Sequence, residues 1–253
     1  GSRQFWRDWR SGEMLALGGA LLTAVAAVSA VGSFSGRVQD SLERGAGEVI
    51  ASDIKLTSRA KIPEIFEEKA ASLGLRTART VTFPTVLFIE GQTLLASVKG
   101  VSPGYPLRGT LGLRKDPQAP EMVRVSHGPG RGQVWVDKRL LGTLGLTLGD
   151  RLDIGEVSLT LASVLAFEPD RGGQFFSFSP RIMAHRADIE ASGLLGPSSR
   201  ATFALLSAGS ATEASRLRDF VEQKDPNEIR IVDLASAQRQ VGATVGASTE
   251  FIG

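Results

Sequence analysis

The sequence predicts an α+β fold in which a transmembrane helix extends into a stem, an α+β sandwich is interrupted by a mostly β insertion, and a second stem helix returns. Three observations carry this. Met14–Phe34 holds no charged side chain. Residues 50–101 read βαββ and residues 200–233 read β-α-β, two pieces of one style. Between them, residues 102–195 are short strands separated by Gly and Pro.

Met14–Phe34 comes first. Twenty-one residues at the α-helical rise span roughly 31 Å, close to the hydrocarbon thickness of a bilayer. A signal peptide is the competing reading, with Arg3, Arg7 and Arg10 before the apolar run and Val28-Ser29-Ala30 as a cleavage site. Its apolar region would be unusually long. Lysine and arginine near the ends set orientation. Three arginines precede the run, and Arg37 and Arg44 follow it, so the N-terminus is read as cytoplasmic and the bulk as extracytoplasmic. Trp6, Arg7, Trp9 and Arg10 suit the membrane interface. Small residues four apart (Ala16, Ala20, Ala24) allow close packing on a neighbouring helix. Val31, Phe34, Val38 and Leu42 keep helical spacing into water, giving a stem over 35–49 that ends near Gly45-Ala46-Gly47.

Ala51–Leu56 alternates as a strand. Pro63–Leu73 is a helix, with Pro63 at its start, glutamates in the first turn and Gly74 as its stop. Arg79–Ile89 is a strand, expected to break or bend at Pro84. A turn at Glu90-Gly91 returns it as Thr93–Val101. In the middle section, Ser102–Gly112 and Lys115–Pro120 read as loop. Val123–Ser126 and Gln133–Val136 are short strands around a Gly/Pro loop, and Asp137–Leu144 is a helix closed by Gly145. Asp150–Ile154 and Val157–Leu165 form a hairpin across Gly155-Glu156. Ala201–Leu206, Thr212–Gln223 and Ile229–Val232 supply the closing β-α-β. Leu234, Ala237, Val241 and Val245 then mark a helix over 234–253. Gly1-Ser2 looks like a cloning remnant, and the last helical pattern is unfinished at Gly253, so a longer protein with a second membrane helix is expected.

Chemistry is sparse. Net charge is +2 with no dense basic block, which argues against nucleic-acid binding. There is no cysteine, hence no disulfide, thiolate catalysis or Cys-based metal site. The two histidines, His127 and His185, have no partner at ligand spacing. No nucleophile elbow or zinc-protease motif is present. Gly128–Gly132 resembles a phosphate loop only superficially, because a strand follows it and the Walker Lys-Ser/Thr is missing. Neither catalytic, cofactor-binding nor metal residues are assigned. Glu168, Asp170 and Arg171 read as a charged turn before a core strand. Phe175, Phe176 and Phe178 are candidates for a surface that takes a hydrophobic ligand or partner.

Three motifs then bear on identity: Tyr105-Pro106-Leu107-Arg108-Gly109; Val134-Trp135-Val136-Asp137 running to Leu146-Thr147-Leu148-Gly149-Asp150-Arg151-Leu152; and Glu168-Pro169-Asp170-Arg171-Gly172-Gly173 running to Pro180-Arg181. Together they make the chain resemble the first membrane helix and first periplasmic domain of FtsX-like, MacB-type ABC transporter permeases of the YbbP type. The resemblance implies a porter-like part at 50–101 and 196–233, a sabre-like β insertion at 102–195, and stems at 35–49 and 234–253. Residues 1–13 would be cytoplasmic. It implies an inner-membrane permease that is not itself an enzyme, with ATP and Mg in a cytoplasmic ABC ATPase partner. A periplasmic esterase or thioesterase is a further implied partner, and the implied substrates are lipid-like or hydrophobic. The alternatives are a single-pass membrane-anchored binding or sensor protein and, more remotely, an anchored hydrolase.

Overall fold

A computed structural model describes residues 51–89, 92–171, 179–196, 199–225 and 227–233. The expected membrane helix at 14–34, both stems, and the candidate residues Trp6, Arg7, Trp9, Arg10, Phe175, Phe176 and Phe178 lie outside them. Among the described residues no helix is long and apolar enough to cross a membrane.

The fold is mixed α+β. In chain order its elements are β1 (Ile54–Ser58), α1 (Glu64–Ser72), β2 (Arg76–Ile89), β3 (Gln92–Val101), β4 (Leu111–Arg114), β5 (Val123–Val125), β6 (Gln133–Asp137), α2 (Lys138–Leu144), β7 (Arg151–Ile154) and β8 (Val157–Phe167). A single 3₁₀ turn at Pro169–Arg171 follows, then β9 (Arg181–His185), α3 (Arg186–Ala191), β10 (Thr202–Ala208), α4 (Ala211–Lys224) and β11 (Arg230–Asp233).

The first and last pieces interlock. The order β11-β1-β10-β2, antiparallel throughout, is that of a split β-α-β sheet, with α1 and α4 as the two connections. Phe66, Ala70, Leu217 and Val221 from these helices pack on Ile54, Leu56 and Leu205. At roughly 1.5–3 kcal/mol for each large side chain buried, this contact outweighs the modest propensity of either helix. Local signals fix the ends. Ser210 and Glu213 form a reciprocal capping box on α4. Asp137 accepts from the Arg139 N–H at the start of α2, and Gly145 ends that helix at φ +64°, a conformation costly for a residue with a Cβ.

The sheet does not stop at β2. That strand pairs with β10 over Arg76–Thr82 and with β3 over Thr80–Ile89, and β3 pairs in parallel with β9. From there the order runs β9-β6-β8-β4-β5, with β7 also on β8. One eleven-stranded sheet therefore runs through both parts. One of its faces carries α2 and α3 over a core of Val81, Val98, Val136, Leu161 and Ile182. The opposite face buries Tyr105, Leu111, Trp135, Leu165, Met183 and Leu206, with no helix over it among the described residues. Ile54 of β1 stands opposite Asp233 of β11, so the described chain enters and leaves this sheet at neighbouring positions.

Three element expectations need correction. β2 is unbroken at Pro84, which pairs with Ser97. Pro84 lies beyond Thr82, the last β10 partner, so its missing N–H removes no bond on that edge. Leu111–Arg114, its first two residues read as the end of the Ser102–Gly112 loop, is β4. Arg186–Ala191, to which the sequence reading assigns no element, is a short helix whose N-cap is His185. Both are too short to show a period.

Candidate functional site

On the face opposite α2 and α3, strand alternation brings together side chains that are far apart in sequence. Ser97 and Lys99 of β3 share that face, and the parallel register sets Arg181 of β9 beside Ser97. Lys55 comes from β1. Glu168 and Asp170 arrive from the turn after β8, and Tyr105 from the loop after β3. The result is a buried cluster of three cations, two carboxylates and a phenol. Lys99 is 3% exposed, Glu168 0% and Asp170 2%.

Lys99 Nζ donates to Tyr105 Oη at 2.7 Å, Glu168 Oε1 at 2.7 Å and Asp170 Oδ1 at 2.6 Å. That uses all three donors of an ammonium. Tyr105 Oη donates in turn to Asp170. Lys55 Nζ holds the other Asp170 oxygen at 2.9 Å. Arg181 donates to Glu168 Oε2 at 2.8 Å and to Ser97 Oγ at 2.5 Å. Burial pushes the Asp170 carboxyl up, but Lys55 and Lys99 outweigh it and hold it well below the usual carboxylate range. Glu168 is likewise pushed up by burial and held below its usual value by Lys99 and Arg181. Burial, reinforced by Asp170 and Glu168, raises the Tyr105 phenol well above its ordinary value.

Two further contacts extend the frame. Arg108 forks onto Asp53 (Nε–Oδ1 3.0 Å, Nη2–Oδ2 2.7 Å), and the N–H groups of Leu107 and Arg108 both donate to the Ala51 carbonyl. Arg171 reaches Asp137 at 2.7 Å and so pins the start of α2. Burial raises the Asp137 carboxyl, but hydrogen bonds from Arg139 and Arg171 bring it down to about 2.

The arrangement joins β1 and β3 to β9 and the end of β8. Its polar ends are bonded to one another, so the cluster ties these strands together. Among the described residues no group of His, Asp and Glu could hold a metal ion. His185 Nδ1 accepts from the Ala187 N–H, and His127 lies 6.0 Å from the Trp135 ring.

The residues expected to form a charged turn therefore have interior side chains in two of three cases, since the carboxylates of Glu168 and Asp170 are buried while Arg171 is partly exposed. Lys55 and Lys99 were missed as site residues. The usable signal was a lysine inside the apolar strand Leu94–Val101.

With this geometry in hand, comparison gives the class: the chain is similar to an ABC transporter permease. The relative is the uncharacterized permease YbbP of Escherichia coli (strain K12), 31% identical over 251 residues and 99% of this chain. The chain spans 30% of that relative's length. The resemblance drawn from the three motifs thus holds along the whole chain. Among solved structures, the periplasmic region of MacB from Actinobacillus actinomycetemcomitans matches with a TM-score of 0.49 at 9% identity, covering 78% of this chain and 95% of that one. No family model matches the chain.

Proposed function

We propose that the chain is the N-terminal part of a MacB-type ABC permease subunit of the inner membrane, anchored by Met14–Phe34 with its N-terminus cytoplasmic and the described sheet in the periplasm. A partner ATPase binds ATP and Mg and hydrolyses ATP. This chain performs no catalysis and passes the resulting movement to the periplasmic side, where lipid-like or hydrophobic substrates are handled. A periplasmic esterase or thioesterase is the proposed further partner, and Phe175, Phe176 and Phe178 are proposed to face an apolar ligand or partner. The observation that carries this reading is the alignment to an ABC permease over 99% of the chain. The buried ionic cluster supports it. A domain that relays motion must move as one piece, and this cluster ties the two parts of the sheet.

The test is to tag the protein at its chromosomal locus and isolate it from membranes. An ABC ATPase should co-purify, and its ATP turnover should change when the permease is removed. If no ATPase accompanies it, the reading is wrong and a single-pass sensor takes its place.

A further inference from the structure

A cleft of about 270 Å³ opens on the helical face between α1 and α3. None of its described lining residues belongs to the ionic cluster. Its apolar lining is Ile62, Pro63, Phe203 and Ala204, and its cations are Lys61, Arg79 and Arg186, against a single carboxylate, Glu64. Arg79 is the telling residue. Its Nε is taken by Glu67 and its Nη1 by the Ile62 carbonyl at 2.9 Å. Its Nη2 is buried and, among the described residues, has no hydrogen-bond partner. Buried donors on a charged group rarely go unpaired, and one that does in a cleft calls for an acceptor from outside. Lys61 has no ion-pair partner among the described residues, whereas Arg186 is held by Glu190 at 2.6 Å. Pro63 and Glu64, which line the cleft, begin α1, so the positive end of that helix borders it.

We infer that this cleft binds a small amphipathic anion, one carboxylate- or phosphate-type headgroup on a short apolar chain. The headgroup takes the unpaired Arg79 Nη2 donor and the Lys61 ammonium, and the chain lies on Ile62 and Phe203. A few placed polar groups in an otherwise apolar concavity is the usual build of a small-molecule site. The inference rests on the cleft alone. A chain that binds such an anion but brings down no ATPase would sink the permease reading and leave this one standing.

The experiment uses the full 253-residue chain in nanodiscs of zwitterionic lipid, with empty nanodiscs as the blank. Carboxyl-¹³C octanoate is titrated and followed by NMR, and octyl phosphate, acetate and 1-octanol compete in separate arms. Saturable octanoate binding above the blank is expected, with acetate and octanol each weaker by about tenfold, as loss of either half of the contact requires. Either anion binding sustains the inference, and the tighter one identifies the headgroup. Arg79→Gln should weaken octanoate about tenfold and Lys61→Glu by a similar factor. Because Arg79 also steadies α1, circular dichroism checks that variant, and Lys61→Glu, on the rim, decides if it fails to fold. Binding no greater than the blank, octanol competing as well as octanoate, or affinity within twofold of wild type in the folded variants would overturn the inference.

Discussion

Replacing Lys99 by Met asks whether the buried cluster holds the sheet together. Methionine keeps the length and apolar stem of lysine, so the cavity contribution is small. What is lost is one ammonium that contacts Tyr105, Glu168 and Asp170 at once. Breaking a buried pair leaves charge uncompensated and costs about 3–5 kcal/mol, against less than about 1 kcal/mol for an exposed pair. Here Arg181 still holds Glu168 and Lys55 still holds Asp170, at 2.8 and 2.9 Å. The lower end, about 3 kcal/mol, is therefore expected. That is a large share of the stability of an ordinary domain, about 5–15 kcal/mol. With a urea slope of about 2–3 kcal/mol/M, the midpoint should fall by about 1–1.5 M. Equilibrium urea unfolding read by far-UV circular dichroism measures it. Arg108→Ala is the control. Its guanidinium is 41% exposed, so loss of its fork onto Asp53 should cost about 1 kcal/mol or less. If Lys99→Met costs no more than Arg108→Ala, the cluster is not what ties the two parts of the sheet.

Three further outcomes follow from the geometry. Asp170, Glu168 and Asp137 have carboxyls held lower in the fold than in the unfolded chain. Their contribution is therefore complete above about pH 4.5 and is lost as pH falls. For Asp137 the window lies between its unfolded value of about 4 and its folded value of about 2. Urea midpoints at pH 7, 4 and 2.5 should fall steadily, and less steeply in Asp137→Asn. Gly155 sits at φ +60° in the β7–β8 turn, where an added Cβ would collide with the Ser192 carbonyl oxygen, so Gly155→Ala should cost about 2–4 kcal/mol in the same unfolding assay. Gly142, inside α2 with open space where a Cβ would stand, should give the opposite sign, a gain of about 0.5–1 kcal/mol in Gly142→Ala.

The elements that could be read in advance were those whose signals are local. Pro63 and Gly74 bracket α1, Asp137 and Gly145 bracket α2, and Gly155-Glu156 separates β7 from β8, all within a residue or two of the structure. β4 and α3 escaped because each is held by partners elsewhere: β4 by β5 and β8, α3 by Ile189 in the core. The place of β9 between β3 and β6 is a pairing choice that no window of sequence encodes. The cluster was half legible. Tyr105, Glu168, Asp170 and Arg181 all lie in motifs singled out from the sequence, yet the charges read as a surface turn. Their burial depends on Lys55 and Lys99 meeting them across the sheet, and that meeting is a property of strand order alone.

The neighbouring entry and exit of the described sheet have a consequence for how such a unit can be carried. Ile54 and Asp233 face each other across an antiparallel pair, where Cα atoms stand roughly 5 Å apart. A unit with ends that close can be set into a host chain as a cassette, through a surface loop, without prying the host apart. The same closeness means that a pull on both ends meets β1 and β11 at one corner and opens them pair by pair, like a zip. The strands beyond β10 feel that pull only through the pairing of β1 with β10.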